Sequence, residues 1–372
     1  MEISKQSQKA GDNSTQMQAG TITNNYYTTI TGIDEERARL ICQEEYAIAS
    51  QNWTSEAIAI ADNRVHQLEN KLMPKMIAYD NTLSFFADPD FQFTLRQAQI
   101  SAAASERESD YDILSELLLH RIEQGENRER RLGIRKAIEV VNQITDEALV
   151  GLAMVYVVSK FSPTSDDINT GLSVLNELYG KIIDMKPLPT GKNWMEHLDL
   201  LSAIRIGTEG LSEFKKLDEY IPSKLSKLLV SGIEADSATL EKIRKEFEQC
   251  GIPTKCLIPH PLKPNYIKLN VSANIEDIVI STALSDGNVL NTPLSKEQQK
   301  VMSDAIAILR RDESNNPSMR KKLMEEWDKY PNLKLVRKWW DNISCYFTIT
   351  PVGIALANAY VQNKEPNVPA LY

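Results

Sequence analysis

Apolar residues recur along most of this chain three and four positions apart, the period of a helix buried on one side. The longest such run, from Asp34 to Met73, contains no Gly or Pro, and Pro74 is its expected stop. Asp34 suits an N-cap, Glu35 and Glu36 the first turn, and Ile33 the staple position before it. One unbroken helix of this length would span about 60 Å, unless "SQNWTSE" divides it. Within the run, Ile58, Ala61, Val65, Leu68 and Leu72 alternate spacings of three and four. That heptad seam predicts a coiled coil between subunits, although it equally fits an amphipathic helix packed on its own domain.

More helical patterns follow: "DPDFQFTLRQAQISAAAS", opening on Asp88-Pro89-Asp90, "DYDILSELLLHRI", and the spans 128–144, 147–160, 168–185, 194–206, 211–229 and 240–249. Four prolines then crowd the stretch from Pro253 to Pro264, and "YIKLNVS" is the best internal strand. Ser295 with Gln298 predicts a capping box. Near the end, "CYFTIT" reads as a strand running into a helix capped by Thr350 with Pro351 at its first position. The expected fold class is mainly α: a multi-helix body, a short N-terminal β-forming oligomerisation ribbon and a small C-terminal helical domain with a winged-helix-like close. The expected divisions are 1–32 (assembly head), 33–80 (stalk helix), 81–250 (helical domain), 251–291 (irregular linker) and 292–372 (C-terminal domain).

The first 32 residues break the pattern. A quarter of the chain is charged, yet no charged residue occurs from Asn13 to Ile33. Ile22, Tyr26, Tyr27 and the surrounding threonines favour extended backbone, and Gln18, Asn24 and Asn25 carry amides that pair when identical strands lie side by side. Without charge, in-register copies do not repel one another. Too short to fold alone, the ribbon must dock on its own domain, pair with copies of itself or stay disordered, and pairing is the outcome expected.

Composition narrows the classes. With 42 % hydrophobic residues the chain reads as globular, and its net charge of −9 argues against coating nucleic acid by bulk charge. Four scattered cysteines make no disulfide framework. The start shows no signal-peptide h-region, and the most apolar run, "ALVGLAMVYVV", is too short to span a bilayer. A cytoplasmic location without a membrane span is therefore expected.

The head "QSQKAGDNSTQMQAGTITNNYY" resembles the start of a family of uncharacterised bacterial proteins, in which a Q-x-x-GDNS-x-x-x-QAG head leads directly into a long helix. Gly11, Asp12, Asn13, Ser14, Gln18, Ala19 and Gly20 carry the motif, and the likeness extends through "DPDFQFTLRQAQISAAA" to "TPVGIALANA". The resemblance implies the architecture and no chemistry. More loosely, the ribbon is similar to N-terminal assembly motifs of bacterial immune and signalling proteins. That likeness implies activity through clustering of subunits, in phage defence or stress signalling.

No catalytic motif emerges. The four histidines lack metal-ligand spacing, Cys250, Cys256 and His260 match no zinc module, and Gly191-Lys192 is only a fragment of a P-loop. No catalytic residue, cofactor or metal is expected. An alternative rests on a C-terminal stretch where Arg310, Arg311, Arg320, Lys321, Lys322, Arg337 and Lys338 interleave with Trp327, Trp339 and Trp340. Cations among aromatics are a nucleic-acid-binding pattern, diluted here by neighbouring acids. The expected function is a homo-oligomeric interaction protein with itself and an unidentified protein as partners, held together by the ribbon and the seam.

Overall fold

The long N-terminal pattern folds as two helices. In the computed structural model, which describes residues 33–369 apart from 52, 124–126, 164–166, 185, 208–213, 272–273 and 284–288, α1 (Glu35–Ala49) starts on the Asp34 carboxylate and ends at Ser50. The Thr54 hydroxyl then accepts from the Ala57 amide at 3.3 Å and begins α2 (Ser55–Tyr79). Pro74 does not stop α2, contrary to expectation. Leu72, Met73 and Met76 around it are buried in the core, and that burial outweighs the hydrogen bond lost at the proline.

Next come α3 (Pro89–Ala104), α4 (Glu108–Glu123), α5 (Arg128–Val140), α6 (Asp146–Lys160), α7 (Ile168–Ile183) and α8 (Asn193–Leu200). The apolar run seen in the sequence is α6, buried on all sides from Ala148 to Val158. The helix expected over 194–206 ends early: Ser202 takes a left-handed φ of 60°, and the chain turns into strand β1 (Ile204–Ile206). α9 (Leu217–Lys224) follows.

Then comes a separate group of elements: β2 (Ile233–Glu234), α10 (Ala238–Gln249), β3 (Leu257–Pro259), β4 (Tyr266–Leu269), β5 (Val279–Ala283), β6 (Val289–Pro293) and α11 (Lys296–Leu309). β2, β4 and β3 form an antiparallel sheet with β4 central, and β5 and β6 form a hairpin. Their core holds Phe247, Ile252, Leu269, Met302 and Leu309. The chain enters and leaves this module through paired backbone. The Ser231 amide donates to the Arg311 carbonyl at 2.9 Å and the Glu313 amide to the Leu229 carbonyl at 2.7 Å.

The closing elements are α12 (Pro317–Trp327), α13 (Pro331–Trp340), β7 (Phe347–Ile349) and α14 (Pro351–Lys364). They return to the first, larger core, which extends from Ala38 to Val368. β7 pairs antiparallel with β1, and α14 packs against α4, α5 and α6. α14 is buried from Ala355 to Val361 without a polar face, as befits a helix surrounded by others.

Within the expected linker 251–291, the described residues include β3, β4, β5 and the start of β6, and residues of the expected C-terminal domain enter both cores. The short strand and capped helix at the end are real, but β7 completes a two-stranded sheet with β1 and α14 is central to the larger core.

Candidate functional site

The seam residues of α2 meet their own chain. Val65 is buried beside Ala61 and Ala103, Leu68 and Leu72 are 1 % and 0 % exposed in the larger core, and Ile58 is half-buried near the helix start. α2 packs on α3 and α4. At Val65, Leu68 and Leu72 the apolar stripe is thus covered within the subunit, the packing of an amphipathic helix on its own domain. The ribbon positions from Gly11 to Tyr27 lie outside the described residues.

The C-terminal cations are dispersed. Arg310 reaches the Val271 carbonyl in the smaller module, and Arg311 beside it is exposed. Arg320, on α12, donates to the Ser314 carbonyl at 2.6 Å and to Asn315 Oδ1 at 2.8 Å. Lys321 faces Glu325 at 4.0 Å, and Arg337 pairs with Asp328 at 2.7 Å. Lys322 and Lys338 are on α12 and α13. The three tryptophans are buried, each indole N–H donating to a backbone carbonyl, of Leu333, Pro189 and Lys215. A base-stacking platform needs an exposed ring face, and these rings provide none.

His260 is spoken for as well. Its Nε2 donates to the Val230 carbonyl at 2.9 Å, while Nδ1 accepts from the Leu262 and Lys263 amides at 3.0 and 3.1 Å. Among the described residues, no group of three or more His, Cys, Asp or Glu side chains is arranged to hold a metal.

What the fold does assemble is an aromatic cleft of about 620 Å³ where the end of α6, the start of α9, the end of α13 and β7 meet. Phe214 lies 4.7 Å from Trp340 and stacks on Phe347 at 5.5 Å, ring centre to ring centre, and Tyr220 stacks on Trp340 at 5.4 Å. Lys160 and Lys215 are exposed at this cleft, whose described lining contains no acid. Nearby, Lys224 donates to the carbonyls of Val158, in the last turn of α6, and of Phe161, which follows it. Burial, with Lys160 close by, lowers its pKa to about 8. An apolar wall beside two ammonium groups suits an apolar group that carries negative charge.

Sequence reasoning missed this cleft because its walls come from four distant segments. Trp340 and Phe347 were visible only as members of local patterns, and no spacing rule links them to Phe214.

Among the described residues, no helix is long and apolar enough to cross a membrane. No curated protein and no solved structure matches the chain. A protein-family model does match, over residues 32–369, from just after the ribbon nearly to the last residue. The chain therefore belongs to the uncharacterised protein family that this model describes.

Proposed function

We propose that the protein is a homo-oligomeric interaction protein: residues 11–32 join the subunits, and the helical body binds a partner through its aromatic cleft. The observation that carries this reading is the complete absence of charge from Asn13 to Ile33 in a chain that is one-quarter charged. Identical extended segments gain from backbone and amide pairing when nothing repels them. Ile33, the residue after the ribbon, packs against the larger core, and Asp34 caps α1. With the α2 seam covered, self-association rests on the ribbon alone. A role in bacterial defence or stress signalling follows from the ribbon's likeness to assembly motifs.

Light scattering of the full chain beside a chain beginning at Ile33 tests the proposal. The full chain should have the mass of a defined oligomer and the shortened one that of a monomer. Equal masses would remove the ribbon from the account.

A further inference from the structure

α5 has the sequence "RERRLGIRKAIEV", and its Arg128, Arg131 and Arg135 recur at i, i+3 and i+7. Those positions share one face of a helix. With Asp90 and Leu132 they line a cavity of about 480 Å³. Asp90, in the first turn of α3, is ion-paired with Arg135 and with Arg121 of α4, and Arg131 Nη1 is 3.6 Å away. Desolvation pushes the Asp90 carboxyl up. The hydrogen bond and charge of Arg121, with those of Arg135, override that and hold its pKa below the ordinary carboxylate value.

The charges at this point do not balance. Among the described residues, the cavity lining carries three guanidinium groups, those of Arg128, Arg131 and Arg135, and one carboxylate, Asp90. Arg121, paired with Asp90, adds a fourth guanidinium, and Asp88, 3.8 Å from Arg121, a second carboxylate. Two positive charges are in surplus in a chain whose net charge is −9. The Arg121 side chain is only 6 % exposed and those of Arg131 and Arg135 are 30 % exposed, so water screens these three less than the exposed Arg128. The Nε atoms of Arg121 and Arg135 are buried and make no hydrogen bond among the described residues. Such a cluster is stabilised by an anion that offers several acceptor oxygens.

We infer that this cavity binds the phosphoryl group of a small phosphorylated ligand, a mononucleotide being the class that fits best. A phosphate monoester carries close to two negative charges at neutral pH, which matches the surplus, whereas a carboxylate carries one. Guanidinium forks match phosphate oxygens in pairs. The cavity is also larger than a phosphate needs, and exposed apolar surface adjoins it: Leu132 is 56 % exposed and Phe93 43 % exposed. Arg135 lies over the Phe93 ring at 5.0 Å, which ties this apolar surface to the arginine face.

Isothermal titration calorimetry of the full chain with adenosine monophosphate, inorganic phosphate and adenosine tests this. The nucleotide should bind once per chain, more tightly than phosphate, with adenosine weaker by tenfold or more, and added salt should lower the affinity. Arg131→Gln and Arg128→Gln should each weaken nucleotide binding about tenfold. Arg128 is exposed, so its variant keeps the test open if Arg131→Gln fails to fold. No heat with the nucleotide or phosphate would overturn the proposal, as would affinity unchanged in the Arg128→Gln variant. Binding of a single-stranded oligonucleotide while both small probes stay silent would overturn it in favour of a nucleic-acid surface.

Discussion

Gly353 shows how one residue sets the depth of a helix. The Thr350 hydroxyl caps α14 by accepting from the Gly353 amide at 3.2 Å, and it donates to the Ser202 carbonyl at 2.6 Å. This draws the first turn of α14 down onto the corner before β1. A Cβ on Gly353 would collide with the Ala203 carbonyl oxygen and lie 2.8 Å from Ile349 Cγ2. Backbone cannot step aside as a side chain does, so Gly353→Ala should destabilise the protein by about 3 kcal/mol, read as a lower denaturant midpoint at unchanged slope.

His260 acts on stability through its proton. Burial, opposed by the hydrogen bond to the Val230 carbonyl and reinforced by Lys263 and Lys268, lowers its pKa below the ordinary value near 6.5. The unfolded chain therefore takes up the proton first as pH falls. The stability contributed is complete above the unfolded pKa and declines as pH drops below it toward the folded one. His120, 1 % exposed, is lowered in the same direction by desolvation. Denaturant midpoints should fall between pH 7.5 and pH 5.5, and His260→Gln should flatten that fall while lowering the midpoint at pH 7.5.

At the scale of elements, local chemistry was legible where it is sufficient. Asp88-Pro89, Ser295 with Gln298, and Thr350-Pro351 each mark a helix start that the structure keeps, with the capping hydrogen bonds in place. Pairing across distance was not legible. β1 has no signature of its own and exists because β7 lies beside it, so a helical pattern was read straight through it. The face that α2 covers was equally invisible, since a three-four spacing is the same whether the neighbour belongs to one subunit or two. The arginine face of α5 was present in "RERRLGIRK" at helical spacing. What the sequence lacked was Asp90 and Arg121, which other helices bring to it. The packing of α2 gives a test of its own. Leu68→Ala should cost about 2 to 5 kcal/mol of stability and leave the solution mass unchanged. A smaller assembly at preserved stability would return the seam to the subunit interface.

At the scale of the whole molecule, the smaller core is nested inside the larger one in sequence. The two connecting strands of chain run antiparallel, with Val230 opposite Asp312, as in a hairpin whose turn has been replaced by a module. Further contacts gather at the neck itself. The Lys263 ammonium donates to the Ser231 carbonyl at 2.8 Å and to Glu313 at 2.9 Å, and Leu262 reaches the larger core. A neck of this geometry can be closed by a two-residue turn. Replacing residues 232–310 with Asn-Gly should leave the larger core folded, with helical circular dichroism and one cooperative transition. The melting temperature should drop by several degrees, because Leu262 and the Lys263–Glu313 pair are lost. The shortened chain should also keep the subunit number of the intact one, since Ile33, which follows the ribbon, packs on the core that remains. Loss of cooperative unfolding would mean that the two cores stabilise each other, and the nesting in sequence would then mark no boundary in energy.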